Sequence, residues 1–256
     1  MFQIAIFNHH MAADALSALS ISQLFVINLA RRRDRRDFME AQLKALPPNI
    51  QWEIIVACDG LDGEAAPWWM GRRVRPEVPA ERRAGVAGCH ASWEVALSSA
   101  LRRNRFPCMI LEDDITLEPL LDNSSRLRVP ADADLVALAN GPNLHGLGLG
   151  DTAAGWLTKS TAAIRSHAHS TGAMLLPNAA GCRKLLSFLK TRSTVYHIDR
   201  VMQSEFAEAR EAQAIVYHAI PSLYGWIESA SDVAGAEGWV RPASPSRGQN
   251  SVQRER

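Results

Sequence analysis

Three consecutive acidic residues, Glu112, Asp113 and Asp114, are the part of the sequence best suited to chemistry. They follow the apolar run FPCMIL, which reads as a buried strand, and open α/β sheets place their ligand sites at the carboxyl ends of strands. Alternate residues of an extended chain point the same way, so we expect Glu112 and Asp114 to face one cation and Asp113 to face elsewhere. Hard divalent ions such as Mg²⁺ and Mn²⁺ take oxygen ligands of this kind together with substrate phosphates. The acids therefore predict a divalent metal site, and the alternative is that they cap a strand and the next turn in water.

Further polar residues follow two earlier apolar runs. Asn28, Arg31 and Arg33 stand at the end of LFVINL, and Asp59 stands near the end of WEIIVACDG. If the two runs are neighbouring parallel strands, these side chains meet at one edge of the sheet, where ligands bind. The alternative for residues 31–36 is a solvated helix start. Positive charge at that end opposes the helix dipole, which favours a ligand role.

Positioning these groups requires strands that alternate with helices. From Leu24 to Asp114 the pattern is β-α-β-α-β, which is typical of a parallel sheet with helices on its faces. DLVALANG and STGAMLLP predict a fourth and a fifth strand, and AIVYHAIP predicts a short late one. Helical spacing continues over Asn178 to Lys190 and around Asp199 to Arg210. The predicted class is α/β, with a mostly parallel sheet and helices on both faces.

One domain accounts for most of the chain. Residues 1–22 are predicted as an N-terminal lead-in segment and residues 23–238 as the domain. Residues 239–256 are rich in Arg, Pro, Ser and Gln and predict a disordered tail.

Composition excludes several classes of protein. Lys+Arg 28 against Asp+Glu 27 gives a net charge of +1, without the positive excess of a general nucleic-acid binder. The 4 cysteines are far apart and form no CxxC pair, which disfavours a zinc knuckle or redox dithiol and indicates a reducing compartment. No run reaches the roughly 18 apolar residues of a membrane helix, and the first segment is a poor signal peptide. These features predict a cytoplasmic protein.

The order of the motifs adds a resemblance. FVINLARRRDRR, VACDG, GVAGCHASW and MILEDD follow one another in the order and spacing of glycosyltransferase family 25, the lipopolysaccharide and collagen-type glycosyltransferases, which this chain resembles. The resemblance continues through STGAMLLP, YHIDR, IPSLYG and SASDV, so it covers roughly Gln23 to Val233. One position departs from it: the family's histidine after Gly-Cys-x-x-Ser falls on Trp93, and we favour a packing role for that position.

The resemblance implies a glycosyltransferase-A-type fold, a nucleotide-sugar donor, a divalent metal and inversion at the anomeric carbon. The groups implied to hold the uracil and ribose are Asn28, Arg31, Arg33 and Asp59. The groups implied to hold Mn²⁺ or Mg²⁺ are Glu112 and Asp114, with His218 as the histidine best placed to complete the shell. Other histidines that could close over the donor are His145, His167 and His169.

An inverting transfer also needs a carboxylate that takes the proton of the acceptor hydroxyl. Asp199, in the motif YHIDR before a predicted helix, is the candidate for this base. The alternative is that Asp199 is the N-cap of that helix. Glu228 and Asp232 are the weaker candidates.

The resulting prediction is transfer of a sugar, a galactose-like hexose, from a UDP-sugar to a saccharide acceptor such as lipopolysaccharide core. This prediction is compatible with peripheral contact with the inner face of the membrane. A second reading is a non-catalytic carbohydrate-binding protein that has kept the fold, for which Trp93 is the main motive. In that reading the sugar-stacking platforms are Trp68, Trp69 and Trp156. A third is a phosphatase of the Asp-x-Asp-x-Thr type, but its nucleophile position holds Glu112, whose side chain is one methylene too long.

Overall fold

The computed structural model describes residues 16–61, 72–117, 126–138, 157–161, 164 and 172–219. The strands in these ranges are β1 Leu16–Ser20, β2 Gln23–Asn28, β3 Gln51–Val56, β4 Arg73–Val74, β5 Cys108–Glu112, β6 Arg126–Pro130, β7 Leu135–Ala137, β8 Leu157–Lys159, β9 Ala173–Leu176, β10 Thr194–Val195 and β11 Val216–Ala219. The helices are α1 Arg33–Lys44, α2 Arg83–Arg103, α3 Ala179–Thr191, and α4, which joins Ile198–Arg200, a π-helical turn Val201–Glu205 and Phe206–Glu208.

Seven strands form the central sheet, in the order β3-β2-β5-β9-β7-β11-β8. β2 pairs in parallel with β3 and with β5, and β11 pairs in parallel with β7. β9 runs antiparallel to both β5 and β7, and β8 runs antiparallel to β11. Five of the seven strands therefore run in one direction, and the predicted α/β class with a mostly parallel sheet is confirmed.

Both faces of this sheet are covered. Along one face, Phe25 and Ile110 pack with Trp93 and Leu97 of α2, and the same cluster includes buried residues of α3 and α4. Along the other face, Val26 and residues 109 and 111 pack with residues 39 and 43 of α1. All six residues of β2 are buried, because this strand is covered on both faces and paired on both edges. The prediction of helices on both faces is confirmed.

Two helix ends show ordinary capping chemistry. Asn178 caps α3, since its side chain accepts a hydrogen bond of 2.9 Å from the Gly181 N–H. Asn104 ends α2 with φ 48°, the left-handed conformation that asparagine tolerates after a helix. The helices predicted over Asn178 to Lys190 and around Asp199 to Arg210 are therefore present as α3 and α4.

Two short strand pairs lie outside the central sheet. β1 pairs antiparallel with β6, with Leu16 opposite Pro130, so the segment predicted as a lead-in contributes a strand. β4 pairs in parallel with β10 and ties the chain before α2 to the chain before α4. The predicted tail lies outside the described residues. In the part of the chain that the structure describes, no helix has the length and apolar character needed to cross a membrane.

Candidate active site

Three parallel strands bring the predicted polar residues to one edge of the sheet. In the register of β2 with β3, Asn28 lies opposite Val56, and in the register of β2 with β5, Ile27 lies opposite Glu112. The segments that follow these positions therefore leave the sheet side by side. This is the carboxyl edge, where open α/β sheets bind their ligands.

The acidic residues form a turn rather than a continued strand. β5 ends at Glu112, and Asp113 and Asp114 are turn residues with side chains 9% and 8% exposed. The alternation expected for Glu112 and Asp114 therefore does not extend past Glu112, because it requires extended backbone. Asp114 Oδ2 lies 3.4 Å from Arg35 Nη1, the nitrogen that Asp113 also contacts. The expectation that Asp114 shares the strand face of Glu112 is corrected on this point.

Asp113 is the central contact of the turn. One of its oxygens accepts a hydrogen bond of 2.8 Å from Asn28 Nδ2, and the other accepts one of 2.8 Å from Arg35 Nη1. Burial raises the pKa of Asp113 even though Arg35 and Asn28 both favour its charged form. Asn28 is itself buried, and its Nδ2 also donates to the Arg32 carbonyl at 3.2 Å. Asn28 thus links the end of β2 to the acidic turn.

Asp59 lies beyond the neighbouring strand and is paired with an arginine. Arg31 Nε donates to Asp59 Oδ2 at 2.6 Å, and the Leu61 N–H donates to its other oxygen at 3.1 Å. Burial opposes ionisation of Asp59, but these hydrogen bonds outweigh it, and the pKa lies below its usual value. Arg33 is exposed at the start of α1. The structure therefore brings Arg31 and Asp59 into direct contact, as their predicted proximity requires.

The loop that carries Asp59 rests directly on the first turns of α2. A Cβ on Gly88 would lie 2.4 Å from the Cys58 carbonyl oxygen, and a Cβ on Gly60 would lie 1.8 Å from the Ala84 carbonyl oxygen. Ser92 closes the contact, since its Oγ accepts from the Cys58 N–H at 2.9 Å and donates to the Gly88 carbonyl at 2.7 Å. The Asp-Gly and Gly-Cys-x-x-Ser motifs are thus the two halves of one close-packed backbone contact.

The pKa of the Cys89 thiol depends on several of the predicted acids. Cys89 is half-buried on α2, and burial is the main cause that raises the pKa of its thiol well above the usual value. The pKa is raised further by the negative charges of Glu112, Asp199, Asp114 and Asp113. The pKa of this thiol therefore reflects the charges of acids from β5, from the turn after it and from α4.

Asp199 occupies the second position of α4 and is not its N-cap. The N-cap is His197, and Asp199 Oδ1 accepts a hydrogen bond of 2.8 Å from the Arg200 N–H. The alternative that assigned the N-cap role to Asp199 is wrong for this reason. An acidic residue in the first turn still interacts favourably with the helix dipole. Its half-buried carboxyl group is nevertheless close enough to Cys89 to raise the pKa of the thiol.

Trp93 is a core residue. Its side chain is fully buried against the sheet and is among the largest buried side chains of the described residues. The packing role that we favour for this position agrees with that burial. The position that holds a histidine in the family is therefore filled by core packing in this chain.

A second group of ionic side chains joins α2 to the chain before it. Arg72 forms an ion pair with Glu94 and donates to the Lys190 carbonyl at 3.1 Å, and His90 Nδ1 lies 3.5 Å from Glu94 Oε1. Burial lowers the pKa of His90 and outweighs the hydrogen bond and charge of Glu94, which raise it. The sequence analysis missed this group, which ties the chain before α2 to the end of α3.

His218 lies apart from the acids with which it was predicted to bind metal. It is buried on β11, three strands from β5, which is about 14 Å at the usual spacing of strands. Within the described ranges, no group of three or more His, Cys, Asp or Glu side chains is arranged to hold a metal ion. Predicted residues that lie outside the described residues are His145, His167, His169, Glu228, Asp232, Trp68, Trp69 and Trp156.

The sequence analysis also missed Arg35. It was treated as part of a basic helix start, but its side chain is 8% exposed and contacts Asp113 and Asp114. A signal for its burial was present, because the buried residues of α1 are Arg35, Met39 and Leu43, four residues apart. An arginine that takes the first place of such an apolar stripe needs an acidic partner inside the protein.

Comparison with known families matches residues 21–129 to the family described as "Glycosyltransferase family 25 (LPS biosynthesis protein)". The predicted resemblance is confirmed over these residues, which include β2, α1, β3, α2, β5 and the acidic turn. The motifs STGAMLLP and YHIDR lie beyond the matched range. A search among curated proteins found no match. The family match supports a glycosyltransferase.

Proposed function

We propose that the protein transfers a sugar, a galactose-like hexose, from a UDP-sugar to a saccharide acceptor of the lipopolysaccharide core type. The transfer is metal-dependent and inverts the anomeric carbon. The observation that carries the proposal is the position of the acidic turn, which follows the end of β5 at the carboxyl edge of the sheet, beside the ends of β2 and β3. We call this part of the sheet edge, with its acidic turn, the cleft, and the family match over residues 21–129 supports glycosyl transfer as its reaction class.

The donor set of the acidic turn fits a hard divalent cation. Glu112 and Asp114 supply carboxylate oxygens, and Mg²⁺ or Mn²⁺ is commonly bound by one or two carboxylates together with substrate phosphates. The guanidinium of Arg35 contacts Asp113 and Asp114. Glu112 and Asp199 are further negative charges, and both raise the pKa of Cys89. When bound, a divalent cation would supply charge neutralisation for the departing diphosphate.

The nucleoside part of the donor belongs beside the ends of β2 and β3. Arg31 and Asp59 are partly exposed there and already form an ion pair, and Arg33 is exposed at the start of α1. We assign Asp59 to the ribose hydroxyls, since a carboxylate held in its charged form is a strong hydrogen-bond acceptor. Asn28 is buried, so it contributes by holding the loop and the acidic turn in place.

Asp199 is the proposed base. It lies on α4, whereas the proposed metal ligands lie at the end of β5 and in the turn after it. As the acceptor oxygen forms its bond to the anomeric carbon, the bond to the diphosphate breaks and Asp199 takes the hydroxyl proton. A base on a different element from the leaving-group ligands suits inversion, which needs attack from the opposite side.

The test is binding of UDP in the presence of Mn²⁺ and in the presence of EDTA, measured by calorimetry. Glu112→Gln and Asp114→Asn should retain the weak metal-independent binding and lose the increase that Mn²⁺ gives. Glu53→Gln is the matched control. Glu53 lies on the edge strand β3 and pairs with Arg103 at the end of α2. Equal Mn²⁺-dependent binding by the parent and both cleft variants would refute the metal assignment.

A further inference from the structure

The contacts of Arg35 point to a role beyond the proposed ligands. A single nitrogen, Nη1, lies 2.8 Å from Asp113 Oδ1 and 3.4 Å from Asp114 Oδ2. The guanidinium and both carboxylates are more than nine-tenths buried. Arg35 is therefore the internal counter-charge of the turn that follows β5.

The same turn is held from a second direction. Asn28 Nδ2 donates to the Asp113 oxygen that Arg35 does not contact, at 2.8 Å. Asn28 ends β2 and Arg35 lies in α1, so the two hydrogen bonds tie the β2–α1 segment to the turn. Because both of its oxygens accept hydrogen bonds, Asp113 fixes the position of the turn and thereby of Asp114, the next residue.

We infer that Arg35 is a positioning residue that sets the cation affinity of the cleft without touching the cation. The inference rests on the proposed function, because it assumes that Asp114 is a metal ligand. Residues that hold metal ligands from behind fix the direction of the ligand oxygens, and their loss commonly weakens metal binding by about 10- to 100-fold. Loss of Arg35 would let Asp113 and Asp114 repel each other and reorient.

The experiment measures Mn²⁺ binding directly, from the electron paramagnetic resonance signal of the free ion, with the full chain and no donor sugar. Arg35→Met should weaken Mn²⁺ binding by about tenfold or more. Arg35→Lys should recover part of the loss, because one nitrogen makes both contacts and an ammonium can replace it. Arg36→Met is the matched control: Arg36 is the next residue, is exposed and pairs with Glu40.

A second variant protects the test against misfolding of Arg35→Met. Asp113→Asn removes the negative charge of this side chain but keeps its shape, and it should weaken Mn²⁺ binding to a similar degree. The double variant should bind Mn²⁺ about as well as either single one, since residues of one network are not additive. UDP binding in EDTA should be unchanged in the folded variants.

The outcomes separate this inference from the proposed function. If the parent binds Mn²⁺, and Arg35→Met and Asp113→Asn bind it equally well while being less stable to heat, Arg35 has only a structural role and the inference is overturned. If the parent binds no Mn²⁺ with or without UDP, the metal site itself is overturned and the inference with it. Removing a positive charge should by itself favour cation binding, so loss of binding in Arg36→Met as well would show that the effect is not specific to the contacts of Arg35 and would also contradict the inference.

Discussion

The contact between the Asp59 loop and α2 predicts that Gly88→Ala damages both stability and nucleotide binding. The added Cβ would lie 2.4 Å from the Cys58 carbonyl oxygen and 2.7 Å from the Gly60 nitrogen. Both distances fall below the 3.0 Å that real Cβ atoms keep, so one backbone must move by about 0.6 Å or more. Because both atoms are backbone, no side chain can rotate away to make room.

The magnitude follows from three contributions. Overpacking of this kind costs about 1–3 kcal/mol. The hydrogen bond from the Cys58 N–H to Ser92 Oγ is stretched, at about 1 kcal/mol. Alanine is a better helix former than glycine by about 1 kcal/mol, which offsets part of this loss. The net expectation is a free energy of unfolding lower by about 1–3 kcal/mol.

Urea unfolding measures this change, and calorimetry with UDP in EDTA measures the displacement of Asp59. UDP affinity should fall about tenfold, the value of one lost charge-assisted hydrogen bond. Ala87→Gly, at the neighbouring position of α2, calibrates the helix-propensity contribution. A Gly88→Ala protein that is about 1 kcal/mol more stable than the parent and binds UDP equally well would show only the propensity gain, and the reasoning would be refuted.

Three further expectations follow from the cleft. Asp59→Ala should weaken UDP binding in EDTA as well as in Mn²⁺; a loss confined to Mn²⁺ would make Asp59 part of the metal site instead. Asp199→Asn should keep donor binding and slow transfer about a hundredfold or more, and activity within a few-fold of the parent would remove it as the base. Cys89 should react with iodoacetamide at pH 8.5 more slowly than the other half-buried thiol, Cys58, because burial and the surrounding acids raise its pKa. In Asp199→Asn that reaction should speed up, since one negative charge is gone; peptide mapping by mass spectrometry that shows no change would place Asp199 out of reach of Cys89.

Sequence patterning was sufficient for the elements that bury apolar runs. β2, β3 and β5 and the helices between them could be predicted because apolar runs and helical spacing alternate from Leu24 to Asp114. The two-residue strands β4 and β10 and the pairing of β1 with β6 carry no such signal. Their pairing depends on which distant segments the folded chain brings together. The antiparallel direction of β9 was likewise beyond the reach of local pattern.

The candidate site divides in the same way. The edge at which Asn28, Asp59 and Glu112 meet could be predicted, because carboxyl ends of parallel strands share an edge. The direction of Asp114 could not, since β5 ends at Glu112 and strand alternation stops there. The internal partners of the acidic turn depend on α1 packing, which buries Arg35.

The most direct test of the central claim is release of UDP from a panel of UDP-hexoses by the purified protein with Mn²⁺. We expect release from one or more of these donors that is abolished by EDTA and by Asp114→Asn, and that is stimulated by a saccharide acceptor. Mn²⁺-dependent UDP binding without release from any UDP-hexose, with or without acceptor, would contradict a UDP-hexose transferase. Release of phosphate from a simple aryl phosphate would contradict glycosyl transfer and favour the phosphatase alternative.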